Sequence, residues 1–196
     1  MADLNQCDFI HFDYLLQGNE TQHEAYSVLH RLNIMELLRP YNPILVGTIP
    51  IDIHISNSDL DIICEVHDLD AFVEYITASF QCEEQYRYTV YSNLVNPYAV
   101  VNFRFQSWEI EIFAQPIPTT RQNGYRHMLV EHRILQLLGS GGYHAIRHLK
   151  ETGYKTEPAF AKLLQLEGDP YERLLELAEW DEEALSQFIM QYRSFN

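Results

Sequence analysis

Asp59-Leu60-Asp61 and Glu109-Ile110-Glu111 are the segments whose residue types and spacing could do chemistry. Each holds two carboxylates two residues apart inside a run of β-formers. Leu60, Ile62, Ile63 and Val66 surround the first pair, and Trp108, Ile110, Ile112 and Phe113 surround the second. Residues two apart on a strand point to the same side, so each pair turns both acids one way. Acids on a core strand are costly unless they are exposed, paired or bound to a cation. Carboxylates gathered on neighbouring strands repel one another, and a divalent cation is the usual relief. Oxygen-only ligands suit Mg²⁺ or Mn²⁺. Two such ions about 3.5–4 Å apart clamp the attacking and leaving oxygens of a phosphoryl transfer. The residues alone leave a second reading open, an antiparallel sheet with one polar face turned to solvent.

Spacing by itself does not separate chemistry from surface, because acids two apart also occur at Asp68/Asp70, Glu167/Asp169, Glu179/Asp181 and Asp181/Glu183. Those pairs precede helices or lie at helix ends and turns, where the helix dipole favours acids, and they read as solvated structure. His144 and His148 have helical spacing but lack the glutamate of a His-Glu-x-x-His motif. Cys64, inside a strand, reads as a small buried residue rather than a nucleophile. Lys155-Thr156-Glu157-Pro158 reads as a helix start capped by Thr156, with Lys155 and Lys162 as candidates for a phosphate contact. No Walker loop, Rossmann fingerprint or Gly-x-Ser-x-Gly elbow is present.

The elements that must position these residues follow from apolar periodicity. A helix is expected over Glu20–Leu38, closed by Pro40, then strands at Ile44–Val46 and Leu60–Val66. A helix opening at Asp68 comes next. Strands follow at Tyr86–Tyr91, Ala99–Phe105 and Trp108–Phe113, the last two joined by the short hairpin turn Gln106-Ser107. From Asn123 on the pattern is helical: Tyr125–Leu138, Tyr143–Lys150, Pro158–Leu166, Tyr171–Glu179 and Glu182–Tyr192. The fold class is therefore α+β, a mixed sheet with flanking helices followed by a helical C-terminal region packed on it. The expected domains are 1–120 and 121–196, with the boundary near Pro118–Asn123.

Thirteen Lys and Arg against 28 Asp and Glu give the 196 residues a net charge of −15. Attraction of a long phosphate backbone then has little to work with, so a long nucleic acid is an unlikely partner, while nucleotides held by local contacts or by bridging metal ions remain open. Cys7, Cys64 and Cys82 are odd in number and unevenly spaced, which points to reduced thiols in a cytoplasm. The first twenty residues carry Asp3, Asp8 and Asp13 and no basic cluster before an apolar run, so no secretory signal is read there. The longest uncharged stretch, Tyr88–Phe103, is broken by Asn93, Asn96 and Pro97 and is too short and polar to span a membrane.

The segment Gly47-Thr48-Ile49-Pro50-Ile51-Asp52-Ile53-His54-Ile55-Ser56-Asn57-Ser58-Asp59-Leu60-Asp61-Ile62 resembles the signature of the nucleotidyltransferase superfamily related to DNA polymerase beta. There an apolar strand ends in Gly-Ser or a similar pair, and Asp-x-Asp opens the next strand about ten residues later. Asn-Pro-Ile-Leu-Val-Gly-Thr at 42–48, Glu-Ile-Glu-Ile-Phe at 109–113 and Thr-Glu-Pro-Ala-Phe-Ala-Lys-Leu-Leu at 156–164 also resemble an uncharacterised bacterial family within that superfamily. The resemblance implies a nucleotidyltransferase-like fold and a metal-dependent transfer of a nucleoside monophosphate from an NTP to a hydroxyl of an unknown small molecule or protein. It implies nucleotide-binding roles for Gly47, Thr48 and Ser58: Gly47 letting the backbone approach phosphates, Thr48 offering its hydroxyl and amide. Asp59 and Asp61 would hold Mg²⁺ or Mn²⁺, with Glu111, or its close alternative Glu109, as third carboxylate and possible base.

The chain also departs from the signature. Many active relatives carry arginine, glycine and small polar residues in the spacer, whereas Ile49–Ile55 is apolar and holds no Lys or Arg. His54, or Arg126, His127, His132 and Arg133 of the following helix, are the candidates to supply the missing positive charge. The alternative reading is a catalytically degenerate nucleotide-binding or protein-interaction module with the same fold.

Overall fold

The computed structural model describes residues 9–192. Asp3, Cys7 and Asp8, and with them most of the N-terminal reading, lie outside the described residues. The chain divides into two compact units. One runs up to Pro50 and resumes over Ser58–Gln122; the other combines Ile51–Asn57 with the residues from Asn123 on.

The first unit is built on five strands, β1 (Ile44–Val46), β2 (Leu60–Glu65), β3 (Glu84–Tyr91), β4 (Tyr98–Phe105) and β5 (Trp108–Gln115). Their order is β1-β2-β5-β4-β3, with β2 parallel to β5 and every other pair antiparallel. Alternation sorts the side chains. Leu60, Ile62 and Cys64 of β2, Ile110, Ile112 and Ala114 of β5, and Ala99, Val101 and Phe103 of β4 all enter one core. That core is closed by α1 (Glu20–Leu32), through Ala25, Val28 and Leu29, and by α3 (Leu69–Phe80), through Phe72, Val73, Ile76 and Phe80. The opposite face of the same strands carries Asp61, Glu109, Glu111 and Asn102, so the period of two that fills the core also lines up the polar groups.

Local chemistry sets the ends of the elements. Asn19 caps α1 through a reciprocal box with Gln22, and Gln22 also donates to the Ile49 carbonyl at 2.8 Å. The helix expected over 20–38 is in fact two: Asn33 adopts a left-handed conformation, φ 51°, and separates α1 from the single turn α2 (Ile34–Leu37). Apolar residues continue through the break, which is why periodicity alone missed it. Asp68 caps α3 by accepting from Ala71 N at 3.0 Å.

The second unit is helical: α4 (Asn123–Leu138), α5 (Ser140–Glu151), α6 (Thr156–Leu163), α7 (Pro170–Ala178) and α8 (Glu182–Met190). α4 packs against α5, α7 and α8. Asp169 caps α7 and Asp181 caps α8, so those acids are structural. Thr156, expected as a cap, is instead the first helical residue of α6, behind Lys155, and no side chain caps that helix. Among the described residues no helix is long and apolar enough to cross a membrane.

The stretch Ile51–Asn57 is fastened within this unit. Ile51 and Ile53 are buried. Arg147 of α5 pairs with the Asp52 carboxylate at 2.8 Å and also donates to the Asp52 carbonyl. Lys150, one turn on, donates to the Ile53 carbonyl at 2.9 Å.

Glu131 of α4 is buried in the helical unit, and its Oε1 has no hydrogen-bond partner among the described residues. Burial pushes its pKa well above the usual carboxylate range; the charge of Glu157 adds to this and Lys150 partly offsets it. A raised folded-state pKa gives a contribution to stability that is complete below the unfolded value and fades as pH rises toward the folded one. Glu131→Gln should therefore become more stable than wild type by a margin that widens as pH rises above 4.5. Urea titrations across pH measure this; a margin independent of pH would contradict the assignment.

Candidate functional site

Register brings the sequence-selected carboxylates together only in part. Across the face opposite the core, Val46, Asp61, Glu111, Asn102 and Arg87 stand in successive register on β1, β2, β5, β4 and β3. Asp61 and Glu111 are direct neighbours on the parallel pair. Neighbouring strands lie about 4.8 Å apart, close enough for two carboxylates paired on one face to share one ligand. Glu109 is exposed and lies one row away, paired with Arg104, whereas Glu111 is half-buried. Asp59 stands just before β2 and is exposed. Among the described residues no three His, Cys, Asp or Glu are grouped so as to hold a metal ion.

Gly47 is the residue on which the geometry of Asp61 turns. Its φ is +83°, a left-handed conformation that glycine adopts at little cost. A Cβ at this position would lie 2.4 Å from Asp61 Oδ2, so the backbone at 47 passes directly against that carboxylate. Thr48 then donates its hydroxyl to Ser58 Oγ at 3.2 Å, tying the residue after the glycine to the residue before Asp59. The sequence paired Gly47, Thr48 and Ser58 through a resemblance; the fold joins Thr48 to Ser58 and places Gly47 on Asp61.

Asn102 escaped the sequence reading. Its Nδ2 donates to Glu111 Oε2 at 2.9 Å, which fixes one oxygen of that carboxylate. A signal was present: counting back evenly from the Gln106-Ser107 turn, where Phe105 faces Trp108, pairs residue 102 with 111. Beside this row three rings stack along the same face, Phe113 with Tyr98 at 5.2 Å and Tyr98 with Tyr91 at 4.5 Å.

The expected sources of positive charge are engaged elsewhere. His54 faces the Asp52 carboxylate at 3.7 Å, which raises its pKa, yet burial outweighs this and Arg147 and Lys150 add to the lowering, so the charged ring is disfavoured. Arg126 pairs with Glu179 at 2.7 Å, and Arg133 pairs with Glu182 at 2.7 Å while also donating to the Trp180 carbonyl. His127 lies 3.7 Å from Glu157 and 3.0 Å from the Tyr171 carbonyl, and His132 is buried in α4. Cys64 is fully buried and burial pushes its thiol pKa up, which suits the inert reading. His144 and His148 are exposed on α5.

The donor chemistry around Asp61 fits a hard divalent cation. Two carboxylates stand in direct register, Glu111 held by the Asn102 amide and Asp61 lying against Gly47. Asp59 lies at the open end of the same strand.

The fold recurs in known structures. Cid1 poly(U) polymerase bound to Mg and 3′-dATP superposes with a TM-score of 0.52 at 12% identity, over 83% of this chain and 52% of that one. Cid1 described for its RNA terminal uridylyl transferase activity gives 0.51 at 13% identity, over 87% and 53%. Cid1 in complex with its short product ApU gives 0.51 at 12% identity, over 88% and 54%. The chain thus spans about half the length of these proteins, and at such identities the likeness shows a nucleotidyltransferase-like fold. No curated protein matches the chain. Residues 27–177, which include the glycine turn, the carboxylate row and most of the helical unit, match one family throughout, and the chain belongs to it: the domain of unknown function DUF4269.

Proposed function

We propose that this chain is a metal-dependent nucleotidyltransferase that moves a nucleoside monophosphate from an NTP to a hydroxyl of a small molecule or protein. The observation that carries the reading is the placement of Asp61 between Gly47 and Glu111. The fold shared with Cid1, whose structures hold Mg with 3′-dATP and the product ApU, supports it. The odd number of cysteines favours a reducing cytoplasm as its setting.

In this reading Asp61 and Glu111 hold Mg²⁺ or Mn²⁺, and Asp59 and Glu109 are the further carboxylates available at the same face. Bound there, the cation supplies Lewis-acid stabilisation of charge on the phosphate oxygens. Gly47 and Thr48 present backbone to the triphosphate, and the Thr48 hydroxyl, by donating to Ser58, holds Ser58 beside them. The acceptor oxygen forms a bond to the α-phosphorus as the α–β phosphoanhydride breaks and pyrophosphate leaves. Glu111 takes the acceptor's proton. Asn102 keeps one oxygen of Glu111 occupied and so aims the other.

A second reading, a nucleotide-binding or protein-interaction module without turnover, is favoured by the charge distribution. Residues 49–55 hold no Lys or Arg, burial disfavours the charged form of His54, and Arg147 and Lys150 are bound to the loop itself. Incubation with labelled NTPs and a pool of acceptors decides between the two. Label transfer that disappears in Asp61→Asn supports the enzyme; nucleotide binding with no transfer in wild type supports the module.

Asp61→Asn and Glu111→Gln should each abolish the rise in Tm produced by Mn²⁺ with an NTP, and lower any transfer rate by about 100-fold or more. A wild-type rise in both variants would overturn the site. Asn102→Ala should weaken Mn²⁺ affinity by about 10- to 100-fold, the usual cost of removing a group that orients a ligand. Titration of Mn²⁺ by electron paramagnetic resonance measures it, and an unchanged affinity would remove Asn102 from the site. Gly47→Ala should cost about 1–2 kcal/mol from the left-handed backbone alone, with a further loss from contact with Asp61. Urea denaturation reads the total, and full native stability would contradict the described turn.

A further inference from the structure

Away from the carboxylate row, the sheet-bearing unit contains a cavity of about 800 Å³. It opens where β1 begins and β2 ends, and the segment around Phe12 and the last turn of α1 form its sides. Phe12, Tyr26 and His30 make a continuous aromatic wall: the first two rings lie 5.2 Å apart, and the His30 ring stacks on Tyr26 at 6.1 Å. The acidic residues Asp13, Glu36 and Glu65 also line it, together with His11. Arg39, the lining guanidinium, is paired with Glu36 at 3.1 Å, so those two charges offset one another. Glu65 is half-buried and held in place, with Asn42 donating to Oε2 at 3.2 Å and the His67 ring 3.3 Å from Oε1.

This combination has a definite chemical preference. A volume of this size falls within the range of small-molecule sites, about 300–1,000 Å³. An aromatic wall in a cavity that acidic residues also line attracts an organic cation, whose charge meets an acid while its body covers the rings. Glu65 lies four residues beyond Asp61 on β2, about 13 Å at 3.3 Å per residue. A ligand here is therefore out of reach of chemistry at Asp61, where reacting atoms must approach to about 3–3.5 Å.

We propose that this cavity is a second ligand site, separate from the carboxylate row, for an ammonium compound bearing a planar ring, with the ring on Phe12 and Tyr26 and the ammonium toward Glu65. The site does not depend on nucleotidyl transfer, and nothing in the nucleotide reading requires it.

Three probes of one shape test this on the full chain: tryptamine, the neutral tryptophol and the anionic indole-3-acetate, titrated by NMR. Tryptamine should bind, and the other two at least about tenfold more weakly, because only the ammonium gains from Glu65. Glu65→Gln, in which the amide oxygen can still accept from Asn42, should weaken tryptamine about tenfold while leaving the response to Mn²⁺ and an NTP as in wild type. Tyr26→Leu, the second variant, should also weaken it and keeps the test valid if the glutamate variant loses stability. Equal binding of tryptophol, unchanged tryptamine affinity in both variants, or no tryptamine binding at millimolar concentration would each overturn the proposal.

Discussion

The parallel register of β2 on β5 is the constraint on which the rest of the site depends. With side chains alternating at a period of two, a slip of one residue would send Asp61 into the core and bring Ile62 out, and would undo both the packing and the carboxylate row. The apolar residues that fix this register, Leu60, Ile62, Ile110 and Ile112, are thus also what aims the acids. A parallel pair needs a long crossover, and α3, β3 and β4 supply it. β4 then contributes Asn102, so the connection that permits the parallel pairing also brings the amide that holds Glu111.

Most of the element pattern was legible in the sequence because the signals were local. The five strands and the helical C-terminal part follow from β-branched runs and helical spacing read within each segment. The break at Asn33 was not legible, because the apolar stripe runs on through it and only the left-handed backbone reveals the turn. Around Asp61, the contacts that follow from short spacing could be read from the sequence, whereas neighbours across strands, Asn102 above all, could not. Alternation turns Glu109 and Glu111 the same way; register, a long-range property, sets Glu111 beside Asp61 and Glu109 beside Arg104.

The apolar spacer has a physical explanation that motif comparison does not provide. Ile51 and Ile53 are core residues of the helical unit, and Asp52 between them, in a left-handed conformation, is held by Arg147. A lysine or arginine in place of either isoleucine would have to bury its charge without a partner, which the packing disfavours. The loop's composition thus records what it packs into, and the same packing makes His54 a poor cation by desolvating its ring.

Because the helical unit includes Ile51–Asn57, neither unit is one continuous stretch of chain. A gene fragment ending at Gln122 would encode β1 to β5 and the whole carboxylate row, but would also expose Ile51 and Ile53 to water and strand Asp52 without its guanidinium. A fragment starting at Asn123 would lack the segment whose carbonyls accept from Arg147 and the buried Lys150. The two units are therefore not interchangeable modules: recombination at the apparent boundary would separate partners that lie about a hundred residues apart in the gene and in direct contact in the protein.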